Sequence, residues 1–173
     1  MSFSRIRTLV RDLMKVGVET CPPDAQVSDV ARLMLEKNLE SVVVLSQEDG
    51  NALGVVRRED LMRAYVREDV SKIRASEVMS EGVPQVPPDI PLTVAVQMML
   101  DKKIRTFFLM HHAGGVAYPA ASLSFQHVLR HLAATREEDL EGLGVEAARK
   151  SPIDAFLERR DAALQRVKSR RKE

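Results

Sequence analysis

Two stretches of this chain are near copies of one another, and that duplication narrows its architecture. "GVETCPPDAQVSDVARLML" (Gly17 to Leu35) returns as "GVPQVPPDIPLTVAVQMML" (Gly82 to Leu100), and Met14 with Met79, Asp24 with Asp89 and Met34 with Met99 are each 65 residues apart. Gly17 matches Gly82, Pro22 and Pro23 match Pro87 and Pro88, and Lys37 matches Lys102. Two long copies argue for a duplicated αβ unit, because a solenoid needs three or more short repeats to bury its faces.

Each copy reads alike along its length. Pro23 and Pro88 fix φ and keep the preceding residue extended, so each corner is a stiff entry from strand to helix. Val27, Val30, Ala31, Met34 and Leu35 then fall at helical spacing, and Leu92, Ala95, Val96, Met99 and Leu100 repeat it. Short apolar runs follow, "SVVVL" from Ser41 and "TFFLM" from Thr106, each suited to a strand buried on both faces. The turns "QEDGN" and "HHAGG" lead to second strands at "ALGVV" and "GVAYPAA". A closing helix follows in each copy, predicted to bury Leu61, Met62 and Tyr65 in the first and Val128, Leu129 and Leu132 in the second.

Composition removes whole classes of function. With 45% apolar residues the chain can bury a real core, and 26 Lys plus Arg against 25 Asp plus Glu give no overall electrostatic reason to expect nucleic acid or a membrane surface. No apolar run is long enough for a bilayer or a signal peptide, and Cys21 is the only cysteine, so a soluble protein of a reducing cytoplasm is expected. Cys21 reads as a small buried hydrophobe, since no Lys, Arg or His adjoins it. Gly-x-Ser-x-Gly elbows, phosphate loops and zinc-type Cys/His sets are missing, so no enzyme is expected.

Assembled in order, "VRDLM" and "ASEVM" before each corner, "PPD" leading into a helix with Met, the apolar strand and "GVVRREDLM" resemble the CBS domain family, and the pair resembles a Bateman module. The resemblance covers about Leu9 to Ala133. It implies an α+β fold of two tandem βαββα repeats packed as a pseudo-twofold pair, and leaves unexplained the tail, whose residues read as a C-terminal helical extension. Expected boundaries are an N-terminal segment at 1–8, repeats at 9–66 and 75–133 around a linker at 67–74, and a charged tail at 134–173.

The same resemblance implies a non-catalytic regulatory module whose inter-repeat clefts bind an adenosine-containing ligand (AMP, ADP, ATP or S-adenosylmethionine), with no cofactor required. It further implies a homodimer and an effector protein of unknown identity. Thr20 and Cys21 in copy one, and Gln85 and Val86 in copy two, occupy the positions whose backbone faces adenine in the family, and Ser41 and Thr106 line the same cleft. The family's motif of Gly, then a hydroxyl, then Asp is split here. Copy one keeps Gly54 and Asp60 but has Arg57 for the hydroxyl, and copy two keeps Ser124 but has Ala121 and His127 for the glycine and carboxylate. Arg57 and Arg58 read either as phosphate contacts or as a solvated pair. A ligand-free structural or oligomerising pair is the alternative reading.

His127 and His131 stand four apart on one predicted helical face, near His111 and His112, but no Cys, Asp or Glu in that span completes a metal set, and none is assigned. In the tail, a linker interrupted by Gly142 and Gly144 precedes a strong helix start: Ser151 as N-cap, Pro152 in the first position and Asp154 in the first turn. Ile153, Phe156, Leu157, Leu164 and Val167 form a broken apolar stripe, and Lys168 to Glu173 are mostly basic. That helix either packs on its own module or docks a partner, a second subunit or RNA.

Overall fold

The computed structural model describes residues 8–134 and 151–170, with the side chains of the final helix described to 164. In chain order it has α1 (Val10–Leu13), β1 (Lys15–Val16), β2 (Thr20–Cys21), α2 (Val27–Glu36), β3 (Ser41–Leu45), β4 (Ala52–Arg57), α3 (Arg58–Tyr65) and a 3-10 turn at Val70–Lys72. Then come α4 (Ala75–Val78), β5 (Ser80–Glu81), α5 (Leu92–Lys102), β6 (Thr106–Ala113), β7 (Val116–Ser124), α6 (Phe125–Ala133) and α7 (Pro152–Arg170). The strands form two sheets, ordered β2-β3-β4-β5 and β1-β7-β6. β2 runs parallel to β3, and the second repeat matches that pairing with a single parallel bridge from Gln85 to Phe108.

The expected buried strands are present. Val42, Val43 and Val44 are 0% exposed, and Phe107 and Phe108 are 1% exposed. Val42, Val44 and Cys21 face a core under α2 and α3, while Phe107 and Leu123 face a matching core under α5. Val43, Val55, Phe108 and Met110 pack together in a third core, contributed by the two sheets. Burial pushes the Cys21 thiol up to about 11, so it stays a neutral, unreactive side chain.

The leading segments are exchanged between repeats. β1, from the start of the chain, pairs with β7, whereas β5, between the repeats, pairs with β4. The corners explain why. The carbonyls of Pro23 and Ala25 accept from the N–H groups of Ser76 (2.9 Å) and Ala75 (2.8 Å) at the start of α4. Pro88 and Ile90 do the same for Arg11 (2.9 Å) and Val10 (3.0 Å) of α1. Each rigid corner therefore caps helix-start donors that a four-residue helix cannot satisfy internally. Beside it Arg11 pairs with Asp89 at 2.6 Å, and Arg74 Nη1 donates to the Asp24 carbonyl at 2.6 Å.

Several sequence expectations are corrected. Met62 (65% exposed), Tyr65 (74%), Leu129 (61%) and Leu132 (53%) are not buried, and neither are Leu35 (80%) and Leu100 (57%). Periodicity marks an apolar side of a helix but not the width of what covers it; here one sheet covers only the inner part of each stripe. His111 and His112 lie inside β6, which runs on to a tight turn at Gly114 (φ 59°) and Gly115 (φ 82°), rather than within the turn itself. Pro119 is accommodated in β7 because the register shifts there, leaving Ala120 as a bulge.

α7 begins at Pro152 as its start chemistry predicts and packs against β7 and β1. Arg159 Nη1 donates to the Val16 carbonyl at 3.0 Å, and the Phe156 ring lies 6.0 Å from that of His111. The expected linker around Gly142 and Gly144, the Val167 side chain and the end of the basic run lie outside the described residues.

Candidate functional site

Two clefts open between the repeats, and their linings are related by the repeat. The first, about 310 Å³, takes backbone from Ser80 to Pro84, the β6 start from Lys103 to Thr106, and Val55, Arg57 and Glu59 from the β4 to α3 junction. The second, about 320 Å³, takes Lys15 to Glu19, the β3 start from Lys37 to Ser41, and Ser122, Ser124, Gln126, His127 and Arg130 from the β7 to α6 junction. Glu40, Ser41 and Thr106 line both, so the clefts meet at the centre of the pair.

A bulge and a glycine hold each backbone wall. Gly17 (φ 88°) donates to the Ala120 carbonyl and Gly82 (φ 77°) to that of Leu53, at 2.9 and 3.0 Å. Both accepting residues sit at register shifts, where the extra residue's carbonyl turns toward the wall. A left-handed φ is what only glycine adopts without strain, which accounts for the repeated Gly17 and Gly82.

At the centre, three polar atoms are buried with no hydrogen-bond partner: Ser41 Oγ, Thr106 Oγ1 and Glu40 Oε2. Thr106 is 8% exposed. Glu40 Oε2 has Arg105 at 3.8 Å, an ionic approach too long for a hydrogen bond. Orphaned buried polar atoms call for an explanation, and two of these are hydroxyls of residues at matching strand starts that line both clefts.

The sequence-named residues divide into three groups. Ser41 and Thr106 line both clefts, Arg57 lines the first, and Ser124 and His127 line the second. Thr20 and Cys21 form β2, with Cys21 in the core; Val86 is 2% exposed and Gln85 faces solvent, so the cleft walls lie a few residues before these four. Arg58 turns away to the Leu39 carbonyl (2.7 Å), tying the α3 start to the segment that leads into β3. Sequence reading missed Lys15, Arg130, Lys103 and Arg105. The repeated Gly17 and Gly82 were the signal for the walls, but nothing local marks the cations.

Asp60 is buried behind Arg57 and fully engaged. Its Oδ2 accepts from the Arg57 backbone N–H and Nε, both at 3.0 Å, and its Oδ1 accepts from Arg57 Nη2 at 3.1 Å and Arg63 Nη1 at 2.9 Å. Four donors use the four acceptor sites of a carboxylate. Arg57 Nη2 also reaches Ser80 Oγ at 2.9 Å, fastening β5 to β4. At the matching junction, His127 Nδ1 accepts from the Ser124 N–H at 3.2 Å, which leaves the proton of the neutral ring on Nε2. Burial, with the positive Arg130 and Lys15 nearby, pulls His127 down to about 4, so it is uncharged at neutral pH.

A CBS domain model matches residues 10–67 and 75–118. The uncharacterized protein MJ1426 of Methanocaldococcus jannaschii is 38% identical over 61 residues, a match spanning 35% of this chain and only 36% of that protein. Among solved structures, an uncharacterized conserved protein from Pyrococcus horikoshii superposes with a TM-score of 0.64 at 20% identity, covering 76% of this chain and 97% of that one. The CBS domain pair of protein MJ0100, in complex with 5′-methylthioadenosine and S-adenosyl-L-methionine, superposes with a TM-score of 0.63 at 16% identity, over 75% and 98%. With the domain matched twice in tandem over more than half its length, this chain belongs to the CBS domain family.

Proposed function

We propose that this chain is a non-catalytic regulatory module that binds an adenosine-containing ligand (AMP, ADP, ATP or S-adenosylmethionine) between its repeats and signals occupancy to a partner protein. The observation that carries this reading is the pair of buried, unpartnered hydroxyls, Ser41 Oγ and Thr106 Oγ1, at the centre of both clefts. A ligand there touches both repeats at once, which is the condition for shifting their relative arrangement, because a ligand acts only through differential affinity for two states. The adenosine derivatives held by the MJ0100 pair support the same class of ligand.

A homodimer completes the reading. Leu35, Met62 and Tyr65 on the first repeat and Leu100, Leu129 and Leu132 on the second are matching exposed apolar positions. A second copy would cover both faces together, and an apolar surface of this extent is costly to leave in water. The competing account is a ligand-free structural pair. Thermal melting with AMP, ADP, ATP and S-adenosylmethionine separates them: a binder at 100 times its dissociation constant adds ~2.7 kcal/mol. No shift with any of the four at millimolar concentration rejects the sensing reading in favour of the structural one.

A further inference from the structure

We infer that only the second cleft is a ligand site, that it takes a phosphorylated nucleotide, and that Arg57 occupies in the first cleft the carboxylate a ribose would need. This deepens the adenosine-ligand reading and rests on it. In the first cleft every acceptor position of Asp60 is filled by a guanidinium or by the Arg57 backbone. To reach that carboxylate, uncharged ribose hydroxyls would displace charge-assisted hydrogen bonds, which are the stronger ones. Removing Arg57 would also release Ser80 of β5 from the end of β4. Across this cleft Arg105 is already held by Glu59 at 2.9 Å, and the carboxylates of Glu40, Glu59 and Glu81 offset the cations Arg57, Lys103 and Arg105 in the same lining.

The second cleft differs where it matters. No carboxylate stands at the His127 position, so the Arg57–Asp60 pair that fills the matching place in the first cleft has no counterpart here. Lys37 has a loose partner in Glu19 at 3.8 Å, and neither Lys15 nor Arg130 has an ion-pair partner among the described residues. These cations flank a neutral His127 whose Nε2–H is a donor, and they share the cleft with Thr106, a residue 8% exposed whose buried hydroxyl has no hydrogen-bond partner. Glu19 and Glu40 also line this cleft, but Lys15, Lys37 and Arg130 outnumber them, and a cavity with that surplus of cations and donors selects an anion with several acceptor oxygens, as a phosphate presents. S-adenosylmethionine, carrying a sulfonium and an ammonium, brings the wrong charge.

Calorimetric titration of the full chain with AMP, ADP, ATP, adenosine and S-adenosylmethionine tests this. The expected result is about one equivalent of a phosphorylated nucleotide per chain, with adenosine and S-adenosylmethionine at least roughly tenfold weaker. Lys15→Gln with Arg130→Gln, both at exposed positions, should weaken that nucleotide about tenfold or more while the melting temperature holds. Arg57→Thr should raise the stoichiometry to about two; if that variant fails to fold, the wild-type stoichiometry and the cation variants still decide. Two equivalents in the wild type, or an affinity untouched by losing both cations, overturns the inference and leaves the adenosine reading standing. Absence of binding by all five compounds at millimolar concentration overturns both.

Discussion

Asp60 shows how one side chain can look like a binding group and act as a strut. Its carboxylate is 4% exposed and ties the α3 start to Arg57 and Arg63. Asp60→Ala leaves Arg57 without its counter-charge and removes the cap, so unfolding free energy in urea should fall by about 2 to 3 kcal/mol. His127 gives a second residue-level outcome. Its pKa in the fold, about 4, lies below the unfolded 6.5, so between those values the unfolded chain binds more protons. The His127 contribution is fully present above pH 6.5 and is lost as pH falls toward 4; His127→Gln should flatten that part of a melting-temperature profile. The sequence displays Arg57 three residues before Asp60, a capping distance, but gives no sign that the guanidinium folds back onto the carboxylate. Side-chain pairing depends on what else reaches the site, and here Ser80 arrives from the start of the second repeat.

Among the elements, the exchanged strands make the module a single unit rather than two beads. β5 lies against β4 at Gly54, where an added Cβ would meet the Ser80 carbonyl oxygen at 2.3 Å and Met79 Sδ at 3.2 Å. The close atom is backbone and cannot swing away, so Gly54→Ala should cost about 2 kcal/mol in denaturant unfolding and speed amide exchange at Ser80 and Glu81 as β5 loosens. The helix and strand positions were legible because period and turn chemistry are local properties of the chain. The exchange was not. "VRDLM" and "ASEVM" each precede a corner in sequence, yet each docks on the other corner, Arg11 on the carbonyl of Pro88 far ahead of it and Ser76 on that of Pro23 already passed. Backbone hydrogen bonds of that kind leave no compositional trace.

Across the whole molecule, both repeats leave the same outer helical face uncovered, and the unpartnered hydroxyls lie at the centre between them. If a second copy covers those faces, replacing Tyr65 and Leu132 by Lys should convert the dimer to monomer in sizing and light scattering, with the fold retained because both positions are exposed. The site was legible in part. Ser41 and Thr106 could be named from their strand-start positions, whereas the cleft cations could not, since each comes from an element whose neighbour is set by the exchange. The claim that these hydroxyls exist for a ligand is tested most directly by Thr106→Val, which keeps the shape and deletes the oxygen. Because that oxygen has no partner in the unliganded chain, the variant should be as stable as the wild type or up to about 1 kcal/mol more stable. Its affinity for the nucleotide that binds the wild type should nonetheless drop about tenfold by calorimetry. Undiminished nucleotide affinity in Thr106→Val would contradict the account.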